Sequence, residues 1–202
     1  MDVAAYITIL ISTVFINNFI LSRFLGLCSF IGVSKNTVPA VSMGVAVTFV
    51  TTMASVITWL IYRYILIPYD LEYLRTISFI LVIASFVQFT EIVIQKKSPV
   101  LYKAFGVYLP LITVNCAVLG VAVLNADMFF IGGKAVQESF VKSVIQGFGA
   151  GIGYTLAMFL MAGIRERLEY AEVPRALKDV PITFVIASLM SLAFLGFSGF
   201  NI

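Results

Sequence analysis

Six long apolar segments dominate the sequence and limit what it can fold into. They run from Val3 to Leu21, Val38 to Tyr62, Thr76 to Ile94, Ala104 to Leu124, Ser143 to Ile164 and Ile182 to Phe200. A run of about 20 apolar residues is long enough to cross the hydrocarbon core of a bilayer as an α-helix. Only 11% of the residues are charged, whereas a soluble domain needs about a quarter. The sequence therefore predicts an all-α integral membrane protein, a single transmembrane domain (1–202) with six transmembrane helices.

Two places interrupt this regular pattern. The stretch from Leu109 to Leu124 contains Pro110, Asn115 and Cys116, and residues 22–33 form an apolar piece that is too short to span a bilayer. Backbone groups that are freed inside a membrane must be satisfied by other protein groups. We therefore expect broken half-helices at both places, packed inside the protein.

The two interruptions carry related motifs. Gly26–Val33 reads GLCSFIGV and Val114–Val121 reads VNCAVLGV, so both contain C-x-x-x-G-V. Cys28 and Cys116 are the only cysteines in the chain. Two cysteines seldom fall by chance at matched places in the two halves of a chain. The pattern predicts two related halves that each contribute one thiol.

The predicted repeats, about 1–95 and about 96–202, contain three spans each. Nine of the 13 lysines and arginines lie in the loops after the first, third and fifth spans, and four lie on the opposite side. Basic loops stay in the cytoplasm, so both termini are predicted outside it. An odd number of spans inverts the second repeat, and inverted repeats place equivalent elements together near the midplane. The two thiols are therefore expected to approach each other.

The composition argues against several functions. Histidine is absent, which removes the commonest general base and the imidazole ligand of zinc and haem sites. The net charge of +3 lies in the connecting loops, which argues against a nucleic-acid surface. Classical hydrolysis and nucleic-acid binding are therefore not expected.

The fifth span contains two overlapping G-x-x-x-G pairs, Gly147 with Gly151 and Gly149 with Gly153. Both pairs are predicted to lie on one helical flank, which lets another helix come close. A phosphate-binding G-x-G-x-x-G motif would need a further glycine and a preceding strand, and neither is found. We interpret the glycines as packing residues.

Three interpretations of Cys28 and Cys116 remain open from the residues alone. Cysteine packs well between helices as a small, weakly polar residue. A disulfide would need the two Cα atoms within about 7 Å and an oxidising environment. Metal ligation is the third interpretation, and two thiols without histidine cannot complete a four-thiolate iron–sulfur centre. A cluster at this place would need two more cysteines from another polypeptide.

Glu91 stands inside the third span, in FVQFTEIVI. A carboxylate inside a spanning helix costs about 2.5–3.5 kcal/mol on insertion scales, so it should face protein or water. It could belong to a cation or proton path. Alternatively, it could be an interfacial carboxylate that reaches toward the basic end at Lys96 and Lys97. The polar loop 165–180 likewise fits either a solvated face or a docking surface for a peripheral subunit.

Several stretches resemble a known family. They are NNFILSRFLGLCSFIGVSK (17–35), LRTISFILVIASFVQFTEIVI (74–94), SPVLYKAFGVYLPLITVNCAVLGVAVLN (98–125), AGIRERL (162–168) and SLMSLAFLGFSGF (188–200). They are similar to the membrane proteins represented by the A subunit of the Rnf electron transport complex and the E subunit of the sodium-pumping NADH:quinone reductase. The resemblance covers nearly the whole chain. The loop DMFFIGGKAVQESF (127–140) looks longer than the family pattern.

The resemblance implies a six-helix protein with inverted repeats in a bacterial cytoplasmic (inner) membrane. A homologous E subunit of opposite orientation would be its partner, alongside the B, C, D and G subunits and the membrane lipid. A [2Fe-2S] cluster would lie between the two homologues, with Cys28 and Cys116 as this chain's ligands and two further cysteines from the partner. The complex would couple electron flow between ferredoxin and NAD to movement of Na+ or H+. Glu91 matches an acidic position associated with the cation path.

The mechanistic hypothesis is that the chain carries an electron through the membrane while a cation compensates the charge, because a charge in the membrane field is costly. Two competing hypotheses remain. One is an inverted-repeat secondary transporter without a redox centre. The other is a structural membrane anchor.

Overall fold

The described residues form helices and one very short hairpin. The computed structural model describes residues 3–97, 109–131, 134–135, 139–170, 174 and 180–196. The α-helices are α1 (Val3–Ile11), α2 (Leu27–Val33), α3 (Thr37–Ile61), α4 (Arg75–Lys97), α5 (Leu109–Thr113), α6 (Cys116–Phe129), α7 (Ser139–Glu169) and α8 (Val180–Leu195). Strands β1 (Phe130–Ile131) and β2 (Lys134–Ala135) pair antiparallel, with Phe130 opposite Ala135, so the loop that looked long contains this hairpin.

Short irregular turns extend three of these helices. The π-helical turn Ser12–Ile16 continues α1, the π-helical turn Tyr62–Leu66 continues α3, and the 3₁₀ turn Glu72–Leu74 precedes α4. Four helical stretches of the described residues are long and apolar enough to cross a membrane. They are Thr37–Leu66, Glu72–Ile92, Leu111–Phe129 and Ser139–Glu169. Tyr6–Ile16 and Val180–Leu195 are shorter apolar helices.

These helices agree with the predicted membrane class, and the predicted second, third and fifth spans are each present. The fifth is longer than predicted, since α7 runs from Ser139 to Glu169. Parts of the predicted fourth and sixth spans, residues 104–108 and 197–200, lie outside the described residues. The number of complete crossings therefore stays a prediction.

The predicted first span is wrong at its C-terminal end, because the helix stops at Ile16 and not at Leu21. The Asn18 side chain takes over hydrogen bonds that a continuing helix would make through its backbone. Its Oδ1 accepts from the backbone nitrogens of Ile20 and Leu21, at 3.1 and 3.4 Å. Asparagine competes with the helical backbone in this way, and the residues that follow turn toward α2.

An antiparallel contact between α3 and α7 forms the centre of the fold. Along it, Gly44 of α3 faces Thr155 of α7, and Thr48 faces Gly151. A Cβ atom on Gly151 would lie 2.5 Å from the Cα atom of Thr48, so the two backbones approach more closely than any larger residue permits. Small residues allow this kind of helix contact in membranes.

The two G-x-x-x-G pairs are packing residues, as predicted, but they do not share one flank. Gly147 and Gly151 face α3, whereas Gly149 and Gly153 face Leu10, Thr13 and other residues at the C-terminal part of the first helix. Residues two apart on an α-helix point about 200° apart. The prediction of a single flank is therefore wrong, and α7 packs against α3 on one side and against the first helix on the other.

Contacts near the ends of the helices place alternate connections at the same end of the fold. Arg165 of α7 donates to the carbonyl oxygen of Ile31 and to Ser34 Oγ, at 2.8 and 2.9 Å. At the opposite end, Arg75 forms a 2.5 Å ion pair with Asp127. This grouping of the loops matches the one used to predict topology, while the membrane side that each end faces stays a prediction.

Replacing Gly151 with alanine should destabilise the protein, although alanine normally stabilises a helix by about 1 kcal/mol relative to glycine. The new methyl group would meet the backbone of Thr48, which cannot rotate away, and overpacking costs about 1–3 kcal/mol. Gly163→Ala is the matched control, since a Cβ atom there meets nothing within 4 Å. The melting temperatures of the two variants should move in opposite directions, and a common direction would contradict the close contact.

Candidate cysteine site

Each cysteine lies at the start of a half-helix. Cys28 is the second residue of α2, which follows Gly26 in the left-handed conformation at φ +84°. Glycine is the residue that adopts this conformation without steric cost. Cys116 is the first residue of α6, and the side chain of the preceding Asn115 accepts from the backbone nitrogen of Ala117 at 3.0 Å. Both predicted breaks are therefore present.

The structure brings the two cysteine motifs together. The backbone nitrogen of Gly26 donates to the sulfur of Cys116 at 3.0 Å. Asn115 Nδ2 donates to Ser29 Oγ at 3.4 Å. A Cβ atom on Gly26 would lie 3.1 Å from Asn115 Oδ1, so a larger residue here would have to displace the Asn115 side chain. Motifs 88 positions apart in the sequence thus form one site.

Both thiols are free and exposed at the surface of the chain, which excludes a disulfide between them in this conformation. On α2, Ser29, Phe30 and Val33 point into the protein, whereas Cys28 lies on the exposed flank with Gly32. Buried packing is therefore not the role of these two side chains within the chain itself.

The donor set fits half of an iron–sulfur site. Within the described residues, no group of three or more histidine, cysteine, aspartate or glutamate side chains could hold a metal ion. Two exposed thiols on motifs that meet match two of the four cysteine ligands of a [2Fe-2S] cluster, and hydrogen bonds to the sulfurs help to set the potential of such clusters. The Gly26 amide on Cys116 Sγ is a hydrogen bond of this kind. A complete site would need ligands from a second chain.

Tyr154 and Ser29 lie behind the cysteines, and neither was predicted from the sequence. Tyr154 of α7 is 2% exposed, and its hydroxyl lies 2.5 Å from Ser29 Oγ. Ser29 Oγ in turn donates to the carbonyl oxygen of Gly26 at 3.0 Å. Ser29 belongs to the first cysteine motif and Asn115 to the second, so these hydrogen bonds join both motifs to α7. The sequence signal for this role was a polar aromatic residue directly after the glycine-rich run of the fifth span.

Glu91 is not part of this cysteine site. It lies in α4, one turn after the buried Val87, and its side chain is half-buried. Among the described residues, no hydrogen bond or ion pair is found for its carboxylate. The structure thus places Glu91 beside the packed side of α4, which is compatible with both sequence interpretations.

Comparisons with known proteins agree on one family. A family model described as "Rnf-Nqr subunit, membrane protein" matches residues 6–201. The chain is 55% identical over 196 residues to the A subunit of the Na(+)-translocating ferredoxin:NAD(+) oxidoreductase complex of Acetobacterium woodii, with 97% of this chain and 98% of the relative covered. It is 53% identical over 194 residues to the A subunit of the ion-translocating oxidoreductase complex of an Azoarcus species, with 96% of each covered. The protein of the same name from Vibrio vulnificus is 55% identical over 194 residues, with 96% of this chain and 97% of the relative covered.

Removing the Tyr154 hydroxyl should loosen the contact between the two cysteine motifs. In Tyr154→Phe, Ser29 loses its 2.5 Å partner, and a buried hydrogen bond contributes about 0.5–1.5 kcal/mol. We expect faster labelling of Cys28 and Cys116 by a thiol reagent in membranes that contain this chain without other subunits. Tyr62→Phe is the control, because Tyr62 is also buried but lies in the π-helical turn after α3. Equal labelling rates in Tyr154→Phe and the parent chain would contradict the proposed link.

Proposed function

Because the chain belongs to the Rnf-Nqr family of membrane subunits, we propose that it is a membrane subunit of an ion-translocating ferredoxin:NAD oxidoreductase complex. In this proposal it holds half of an intramembrane [2Fe-2S] cluster, and electron transfer across the membrane is coupled to movement of Na+ or H+. The observation that carries the proposal is the meeting of the two cysteine motifs, with the Gly26 amide 3.0 Å from the sulfur of Cys116.

Within the proposed site, Cys28 and Cys116 bind iron through their sulfurs. When bound, the cluster would supply one-electron redox chemistry. The chain's own residues fix the two sulfurs relative to each other. Gly26 shapes the first turn and donates to Cys116, Asn115 caps the second half-helix, and the Tyr154 hydroxyl supports the first motif through Ser29. A rigid support of this kind preserves ligand geometry.

A partner subunit completes the proposed site. Apolar residues around the cysteines are exposed in the chain alone, with Phe24 at 50% and Val114 at 72%. An exposed apolar surface inside a membrane protein complex can be covered by a second protein. We assign this place to the homologous E subunit of opposite orientation, which would bring the two further cysteines and exclude water.

The proposed architecture is a pair of inverted repeats, about 1–95 and 96–202. Its support is a reciprocal contact between α3 and α7, the second spanning helix of each repeat. Thr155 of α7 packs against Gly44 of α3, and Ser55 of α3 packs against Gly147 of α7. Antiparallel helices with exchanged glycine contacts are what a two-fold axis in the membrane plane produces. The proposed location is a bacterial cytoplasmic membrane, with both termini outside the cytoplasm.

Glu91 is proposed as a residue of the cation path. Its half-buried position beside the packed face of α4, together with the cost of a carboxylate inside a spanning helix, favours this role. Binding of Na+ or H+ to the carboxylate would balance the negative charge of an electron that enters the membrane at the proposed cluster. The A. woodii relative is named as Na+-translocating, and the ion for this chain is left open between Na+ and H+.

Replacing either cysteine should remove the redox centre from the purified complex. In Cys28→Ser and in Cys116→Ser, we expect loss of the paramagnetic signal of the reduced cluster and loss of two iron atoms per complex, the number in one [2Fe-2S] cluster. Ile77→Ala is the control, since it shortens an exposed apolar side chain at the start of α4 without removing a sulfur. If the parent complex itself contains no such iron, the result would favour a secondary transporter without a redox centre. Unchanged electron transfer in Cys116→Ser would favour a structural anchor.

Replacing Glu91 with glutamine should change the dependence of turnover on the coupling ion. We expect the ion concentration for half-maximal turnover to rise about tenfold, which corresponds to about 1.4 kcal/mol of lost binding. Glu72→Gln provides the control, because Glu72 is an exposed carboxylate just before the other end of the same helix. If Glu91→Gln behaves like Glu72→Gln, the residue is an interfacial carboxylate and the ion role is wrong.

A further inference from the structure

A small cavity with three small polar residues in a mostly apolar and aromatic lining lies where α3, α4, α6 and α7 meet, at a distance from the cysteines. Its lining includes Thr58 of α3, Phe79 of α4, Asn125 of α6 and Ser143 of α7. About 10 Å³ of it is open to the centre of a water-sized molecule, which is close to the room that one water needs. Asn125 is nine residues after Cys116, about 14 Å further along the helix axis.

Two buried oxygen atoms of the lining residues have no hydrogen-bond partner in the described part of the chain. They are Asn125 Oδ1 and Ser143 Oγ, and their residues are only 4% and 0% exposed. The orientation of the amide is fixed, because Asn125 Nδ2 donates to Ser55 Oγ at 3.1 Å and to the carbonyl oxygen of Ser143 at 3.3 Å. Buried polar atoms in native proteins nearly always have a partner, so two of them beside one cavity need an explanation.

The hydrogen-bonding capacity of the lining residues defines the ligand that would fit. Thr58 Oγ1 uses its proton on the carbonyl oxygen of Ala54 at 2.6 Å, so toward the cavity it can only accept. Asn125 Oδ1 can also only accept, whereas the Ser143 hydroxyl can donate. A ligand that donates two hydrogen bonds and accepts one matches this set.

We propose that a single water molecule binds in this cavity, donating to Asn125 Oδ1 and Thr58 Oγ1 and accepting from Ser143 Oγ. Buried waters typically make about three hydrogen bonds to otherwise unsatisfied groups. The water links α3, α6 and α7, and α6 is the helix that begins with Cys116. It therefore fixes the far end of this helix, independently of what the cysteines bind.

A sodium ion fits the same cavity less well. The side-chain oxygens of Thr58, Asn125 and Ser143 are neutral, and no carboxylate lines the cavity within the described residues. A desolvated ion in an apolar interior is strongly unfavourable unless charged or numerous ligands compensate it. Three neutral oxygens give a water the three hydrogen bonds that buried waters typically make, but they leave a cation poorly coordinated.

The change in melting temperature caused by Ser143→Ala in the assembled complex tests the proposal, because a bound water and an unsatisfied hydroxyl predict different directions of change. If water occupies the cavity, the variant removes one of its partners, and we expect the melting temperature of the chain to fall by about 2–4 °C. If the hydroxyl is simply unsatisfied, removing it should leave the melting temperature unchanged or raise it. Ser85→Ala is the control, because Ser85 Oγ donates to the carbonyl oxygen of Leu81 on an exposed part of α4.

A density map of the same complex provides a second measurement that does not depend on the variant folding. We expect one peak about 2.7–3.0 Å from Asn125 Oδ1 and from Ser143 Oγ. A cavity without a peak would overturn the proposal. A specific effect of Na+ would also overturn it. If Na+ raises the melting temperature of the parent complex more than the same concentration of K+ does, and Ser143→Ala abolishes this difference, then the ligand is a cation.

Discussion

Backbone groups inside a membrane must find partners within the protein, and this requirement governs the parts of the fold that matter most. The helical ladder is interrupted after Ile16 and again at Val114–Asn115. At the first interruption the Asn18 side chain accepts from two backbone amides and donates to the carbonyl oxygen of Gly153. At the second, Asn115 accepts from the backbone of Ala117. The breaks are tolerable only because α7 and the two cysteine motifs lie against each other.

The glycines of α7 make that arrangement possible. Gly151 brings α3 within backbone contact on one side, and Gly153 lies against Asn18 and Val14 on the other. Tyr154 follows directly in the sequence and reaches Ser29 beneath the first cysteine motif. A single turn of one helix therefore supports the central helix pair, the first break and the cysteine site. The same turn of α7 therefore determines both the packing in the centre of the fold and the geometry at the surface thiols.

Much of the fold could be predicted from the sequence because apolar length and helix interruption have direct physical signals. Pro110, Asn115 and the short apolar piece near Cys28 predicted the breaks, and the repeated C-x-x-x-G-V motif predicted that the two sites meet. The position of the first helix end could not be predicted, because an asparagine in an apolar run hydrogen-bonds either its own backbone or a neighbouring helix. Tyr154 was missed for a related reason: its role depends on Ser29, 125 positions away. The two flanks of the glycine run required knowledge of which helices are neighbours.

The hydrogen bond from Gly26 to the sulfur of Cys116 has a consequence for how the two halves can change over time. Each half provides part of the chemical surroundings of the site they share, so neither contains a self-sufficient copy of the motif. The contact crosses from one motif to the other, so a substitution that alters the turn at residue 26 also alters the surroundings of the sulfur of residue 116.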